Sequence, residues 1–297
     1  MATTLNPQLD VVFKLLFAAE ANRDLLVALL NDVLQPPKPI VSVQVVNPDI
    51  DKDVVEDRGL ILDIHAVHSD GTRTDIEMQT RDRGATERRA LYHWARLYRD
   101  GIQRGDDFSD LTPCRVVFFL SFSLFPDSQR LHSRFLLLEA DEYRPLTDDL
   151  ELHFVELSKL EDEPVDAKDG AAVWARFLAA KTDQERKELS MANPNIQKAT
   201  EALEALSQDP QVQALARWRE DQLRLHRVEM AAIERRGHEA GRQEGEVEEL
   251  RATLRQLCDL LGLERTPERE AAIATGELEL LRALKQHLFT HRSWPDP

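Results

Sequence analysis

Residues Leu60 to Val67 (LILDIHAV) and Arg73 to Gln79 (RTDIEMQ) alternate apolar and polar side chains on either side of a Ser69-Asp70-Gly71 turn. A period of two marks half-buried strands, so the pair is expected to form a β-hairpin. The register of that hairpin decides what it can do. A two-residue Asp-Gly loop sets Asp63 opposite Met78, on the face away from Glu77. A three-residue loop, with Gly71 in the left-handed region as a G1 bulge, sets Asp63 opposite Glu77. The hydrophobic pattern selects the second arrangement. It stacks Leu62, Ile64 and Ala66 with Ile76 and Met78, and gathers Asp63, His65, Asp75, Glu77 and Gln79 on the other face. Two carboxylates facing each other across a sheet, with an amide two residues further on, outline a divalent-metal site.

At 297 residues the chain holds one large domain or a domain with an extension. A hydrophobic content of 42% supports a core, and 31% charged residues with 11 glycines favour long helices over part of the length. No apolar run reaches the roughly 18 residues of a membrane span. The N-terminus lacks the basic and apolar regions of a secretory signal. Cys114 and Cys258 are too far apart in sequence to suggest a disulfide framework or zinc spacing. These features predict a cytoplasmic, reduced protein. The net charge of −16 counts against nucleic-acid binding. Residues 80–104 reverse that balance, with seven arginines (81, 83, 88, 89, 96, 99 and 104) against three acids directly after the second hairpin strand.

Residues 7–34 carry apolar residues at helical spacing and predict two helices broken near Glu20 to Asn22, ended by Pro36, Pro37 and Pro39. Ile40 to Val46 reads as a first strand, followed by the hairpin and a helix from about Ala85 to Gln103. The apolar run Cys114 to Phe122 fits a strand buried on both faces. Arg134–Leu138 and Leu152–Leu157 are shorter strand candidates. After about residue 158 the patterns are helical, with Trp174, Phe177 and Leu178 at core spacing. Val247, Leu250, Leu254, Leu257 and Leu261 follow an a/d seam, which suits a helix docked on the domain or a dimer contact. Gly237, Gly241 and Gly245 precede it, marking either a closely packed face or a frayed connector. The expected layout is a mixed α/β core over 1–158, a helical extension over 159–208 and a helical C-terminal region over 209–297 that could carry oligomerisation.

In order, the chain contains Asp10-Val-Val-Phe13-Lys14-Leu-Leu-Phe17, Leu25-Leu26 to Leu29-Leu30-Asn31, and Leu62-Asp63-Ile64 followed by Asp70-Gly71. Ile76-Glu77-Met78-Gln79, Arg88-Arg89-Ala-Leu-Tyr92 to Leu97-Tyr98, Gly105 to Leu111-Thr-Pro113, Leu152 to Leu157 and the glycine repeat follow. With these motifs the chain resembles the recombination-promoting nuclease / putative transposase family of the PD-(D/E)XK nuclease superfamily, over nearly its whole length. The resemblance implies a restriction-endonuclease-like core, a central mixed sheet flanked by helices, followed by an all-α region. It implies a magnesium-dependent DNA endonuclease that promotes recombination, found in bacteria and often near mobile elements. By motif position it makes Asp63 and Glu77 the metal-binding acids and Gln79 the third member of the signature. Where many members read Asp-Lys before the first catalytic strand, this chain has Asp57-Arg58.

Magnesium held by one or two carboxylates supplies a nucleophilic water and neutralises charge on the phosphorane; manganese is the alternative ion. Asp63 and Glu77 are the expected ligands, with the backbone carbonyl of Met78 as a third. Gln79 could hydrogen-bond the attacking water or a scissile oxygen. Where the superfamily often has lysine, glutamine brings no charge, which leaves Lys14, Arg88 and Arg89 as candidate cations. His65 and Asp75 read as neighbours of the ligands or as surface groups. Asp10 is either an accessory carboxylate or a helix N-cap, and Lys14 either an accessory cation or an exposed helix charge. Arg81, Arg88, Arg89, Tyr92 and Arg96 are the expected DNA contacts, with helical spacing placing Arg88, Tyr92, Arg96 and Arg99 roughly on one face. A catalytically quiet protein that binds DNA or a protein partner, and a homodimer through the C-terminal helices, are the other readings.

Overall fold

The computed structural model describes residues 4–46, 63–82, 84–160 and 169–295. Leu60 to Leu62, Asp57 and Arg58 lie outside the described residues, as does Arg83. The chain divides into two compact units, Met1–Gln222 and Leu223–Pro297.

The first unit is built on a six-stranded sheet of order β1-β2-β3-β4-β6-β5. Its strands are β1 (Val43–Val45), β2 (Ile64–His68), β3 (Arg73–Gln79), β4 (Cys114–Leu120), β5 (His132–Leu136) and β6 (Leu150–Glu156). The first three pair antiparallel, β3, β4 and β6 run parallel, and β5 closes one edge antiparallel to β6. β4 lies inside the sheet, as its unbroken apolar run requires.

The hairpin has the three-residue turn. Ile64 pairs with Ile76 and His65 with Asp75, a register that continues to Asp63 opposite Glu77. His68 N–H donates to the Thr72 carbonyl at 2.8 Å, and Gly71 N–H donates to the His68 carbonyl at 3.0 Å. Gly71 has φ +86°, a conformation open to glycine at little cost, and an added Cβ would lie 3.1 Å from Thr112 Cγ2. Gly71→Ala is therefore expected to destabilise the fold by about 1–2 kcal/mol. A lowered urea midpoint with an unchanged slope is the expected signature.

Both faces of the sheet are covered. On one face, the helices α1 (Asp10–Ala18) and α2 (Arg23–Leu34), separated by a 3-10 turn at Glu20–Asn22, fall where the sequence predicts them. Phe13 meets Phe119 at 5.8 Å between ring centroids, and Phe17 meets Trp174 at 5.7 Å. On the other face, α3 (Thr86–Arg99) sets Ala90 and Trp94 against Val116, Phe118, Leu120, Leu152 and Phe154. Asp149 pins the far end of α3. Tyr98 Oη donates to its carboxylate at 2.6 Å, and Trp94 Nε1 donates to its carbonyl at 3.1 Å. The helices α4 (Gly170–Ala179), α5 (Asp183–Ala192) and α6 (Pro194–Gln208) complete the unit. Their N-caps are Asp169, Thr182 and Asn193, whose side chains accept backbone hydrogen bonds. Trp174 Nε1 donates to Asp32 at 2.7 Å, tying α4 to α2.

The α1–α2 face of the sheet holds a second polar row. His68 bonds Thr74 Oγ1 at 2.9 Å, and His132 bonds His153, which in turn bonds Glu151. Burial pushes the imidazoles of His68 and His132 down to about 4 from 6.5. The unfolded chain takes up protons at both sites below about 6.5, while the folded chain holds them neutral until about 4. Their contribution to stability is thus intact above that window and falls as pH drops through it. The loss is on the order of a few kcal/mol. Urea midpoints measured across pH should fall less steeply in a His68→Gln, His132→Gln variant.

The helix α7 (Pro210–Leu260) runs on into the second unit, which adds α8 (Pro267–Thr275) and α9 (Leu278–His291). There Leu250, Leu254 and Cys258, flanked by Val247, Leu257 and Leu261, pack with Ile273, Leu281, Leu284 and Leu288. The chain's own helices thus close the a/d seam. Gly237, Gly241 and Gly245 have no atom within 4 Å of an added Cβ, so the closely packed alternative does not hold for them. Among the described residues no helix is long and apolar enough to cross a membrane.

Candidate metal centre

β3 sends Asp75, Glu77 and Gln79 to the α3 face, while Ile76 and Met78 go to the opposite core. A half-buried strand of an antiparallel hairpin would leave this polar face to solvent. The structure buries it: Glu77 is 0% exposed and Asp75 1%. The reason is β4, which extends the sheet beyond β3 and lets α3 pack across both strands. Asp63, at 19% side-chain exposure, faces Glu77 from the end of β2.

α3 closes the site with three side chains spaced along one face, Arg89, His93 and Arg96. His93 Nδ1 lies 2.9 Å from Asp75 Oδ2 and 2.8 Å from Glu77 Oε1. Arg89 reaches Glu77 Oε2 at 3.4 Å, and Arg96 reaches Asp63 Oδ2 at 3.6 Å. From β2, His65 Nε2 lies 2.8 Å from Asp63 Oδ2 and 3.3 Å from Asp75 Oδ1. The Gln79 amide donates to Glu77 Oε2 at 2.9 Å.

Two imidazoles and one carboxyl of the cluster, His65, His93 and Asp63, titrate away from their ordinary values. Burial pulls His65 down, but its bonds to Asp63 and Asp75 and their charges outweigh it and lift the imidazole to about 10. His93 follows the same pattern with Asp75 and Glu77, and rises to about 9. Desolvation works to raise Asp63, yet the His65 bond and the charges of His65, Lys14 and Arg96 hold its carboxyl below the usual range. At neutral pH the acids therefore carry their own counter-cations.

The donor set suits a hard or borderline divalent ion. One ligand atom from each of Asp63, Asp75, Glu77 and His93 can be chosen so that all lie within 4.8 Å of one another. Two oxygens in this cluster, Asp75 Oδ1 and Glu77 Oε1, are buried and receive no well-directed hydrogen bond. Each faces an imidazole, Asp75 Oδ1 at 3.3 Å from His65 Nε2 and Glu77 Oε1 at 2.8 Å from His93 Nδ1, and a bound cation would meet these oxygens directly.

The expected residues fall into groups. Asp63, Glu77 and Gln79 come together. Met78 turns its side chain to the far core; its carbonyl alternates with that of Gln79, which accepts from Ser121 N–H on the β4 side. The carbonyl of Met78 thus points toward β2, where the facing residue lies outside the described residues. The expected DNA-contact face splits. Arg96 belongs with Arg89 against the acids, while Arg88, Tyr92 and Arg99 are exposed and Arg81 is half-buried. The cause is the helical phase set by Ala90 and Trp94 on the core. Asp10 is neither an N-cap nor part of the acidic cluster. Leu9 occupies the cap position, and Arg219 grips the buried Asp10 carboxylate with Nε at 2.9 and 3.1 Å. Lys14 is 4% exposed, which overturns its reading as a solvated helix charge, and its charge is felt by Asp63. Sequence reasoning set Asp75 aside and missed His93. The available signals were the alternation that places Asp75 beside Glu77 and the single helical turn that separates His93 from Arg89.

The family model described as PD-(D/E)XK nuclease family transposase matches residues 7–232. No curated protein and no solved structure matches the chain.

Proposed function

Because the chain belongs to the PD-(D/E)XK nuclease family transposases, we propose that it is a metal-dependent DNA endonuclease whose reacting centre is Asp63, Glu77 and Gln79. The observation that carries this reading is the buried acidic cluster under α3, with two carboxylate oxygens that receive no directed hydrogen bond. Asp63 and Glu77, with the Met78 carbonyl, would hold a magnesium or manganese ion. When bound, such an ion supplies an activated water and offsets charge building on the phosphate.

The remaining work falls to side chains. Gln79 fixes the rotamer of Glu77 through its amide, so the carboxylate is preorganised. Arg89, beside Glu77, and Lys14, whose charge reaches Asp63, would supply the positive charge that a lysine would bring at position 79. Arg96 and His65 hold Asp63 ionised and directed inward. The exposed Arg88 and Tyr92, with Arg81, would grip the phosphate backbone beside the site. Such contacts carry no base readout, which fits cleavage with low sequence specificity, and a nuclease of that kind would promote recombination by opening strands. A homodimer through the C-terminal helices would use the exposed Leu225, Val228 and Ile233 of α7, because the a/d seam is closed.

One observation favours a second reading. Every acid of the cluster already faces a cation from the chain itself, which suits a quiet site in a DNA- or protein-binding protein. Supercoiled-plasmid nicking separates the two. The endonuclease reading expects nicked circles with magnesium or manganese and none with EDTA. Binding of the plasmid without nicking under either metal would move the assignment to the quiet binder.

A further inference from the structure

Two members of the cluster, Asp75 and His93, lie outside the donor set on which the endonuclease reading rests. We infer that Asp75 and the Nδ1 nitrogen of His93 complete the metal site with Asp63 and Glu77, and that this mixed oxygen and nitrogen set selects a first-row transition ion over magnesium. The inference builds on the endonuclease reading of the same site.

The geometry around His93 is that of a ligand held ready. Its Nδ1 stands between Asp75 Oδ2 at 2.9 Å and Glu77 Oε1 at 2.8 Å. A single N–H satisfies one of these oxygens, and Glu77 Oε1 is the one left without a directed bond. A cation in place of that hydrogen meets Nδ1 and both carboxylates at once. The ring is not free to leave: it packs edge-on against Phe118 at 6.2 Å, and α3 is anchored at the next residue, Trp94, and again at Tyr98. Asp75 is 1% exposed and turns its Oδ2 to the same nitrogen, while its Oδ1 faces His65 Nε2 at 3.3 Å, so its carboxylate is held in place under α3.

Donor chemistry sets the selectivity. Magnesium binds through one or two carboxylates, keeps most of its waters and gains little from nitrogen. Imidazole suits transition ions, whose affinity for mixed nitrogen and oxygen sites rises from manganese toward copper. Three carboxylates and an imidazole, almost closed to solvent, leave little room for the water shell that magnesium prefers.

The test uses the full chain stripped of metal with EDTA and titrated with Mn2+, followed by electron paramagnetic resonance. The expected result is one tightly held Mn2+ showing a 14N coupling in the pulsed spectrum. His93→Gln should keep a bound ion, lose the coupling, and narrow the preference for Mn2+ over Mg2+ by about tenfold or more. His65→Gln should retain the coupling, which assigns the nitrogen to His93. Bound Mn2+ without nitrogen coupling in the unmodified chain overturns the inference, as does coupling that survives His93→Gln. If nicking is metal-dependent but the site is nitrogen-free, this inference fails and the endonuclease reading stands. If no Mn2+ binds at all, this inference fails, and nicking in magnesium decides the endonuclease reading by itself.

Discussion

Glu77→Gln should abolish plasmid nicking, by about a thousandfold or more, while leaving the fold intact. The expected size follows from the several kcal/mol that a correctly held ion contributes to charge stabilisation at phosphate. Glutamine keeps the shape of the side chain and can still meet the Gln79 amide, so burial and packing are preserved. What it removes is the negative charge that would hold the ion and that now pairs with His93 and Arg89. Single-turnover nicking rates, with far-UV circular dichroism as the fold control, check it. Residual activity within tenfold of the unmodified chain would mean that Glu77 is not a ligand.

The largest expected effect on stability lies at the Asp10–Arg219 pair. Both side chains are buried, and Arg219 meets the carboxylate with both Nε and a terminal nitrogen. Arg219→Ala strands the Asp10 charge in the interior and is expected to cost about 3–5 kcal/mol. Replacing both partners by apolar residues of similar volume, as in Asp10→Leu with Arg219→Met, should recover most of that loss. Urea denaturation of the single and double variants measures both. A loss below about 1 kcal/mol on Arg219→Ala would indicate a pair that behaves as solvated surface.

The parts of this molecule legible in the sequence are those fixed by local chemistry. The Ser69-Asp70-Gly71 turn and the two-residue alternation determine the hairpin register, and with it the meeting of Asp63 and Glu77. The break at Glu20–Asn22 and the apolar run of β4 are equally local. What stayed hidden depends on tertiary placement. That the polar face of β3 is buried follows from α3 crossing it, and nothing within RTDIEMQ encodes the helix above. The phase of α3 depends on Ala90 and Trp94 seating on β4 and β6, so Arg96 could not be separated from Arg88 and Tyr92 by spacing alone. Asp10 meets Arg219 across more than two hundred residues, a pairing with no sequence signature. His93 sits among arginines on a helix that reads as a phosphate-gripping surface, and its role emerges only once Asp75 and Glu77 lie beneath it.

If this buried cluster cuts DNA, neutralising one of its acids must stop the reaction. This is tested most directly by comparing the unmodified chain with Asp63→Asn, purified side by side, for nicking of supercoiled plasmid in Mn2+. Nicked circles are expected from the unmodified chain alone, with the variant indistinguishable from a reaction lacking protein. Equal nicking by both would contradict that expectation, and would put the activity somewhere other than the site under α3.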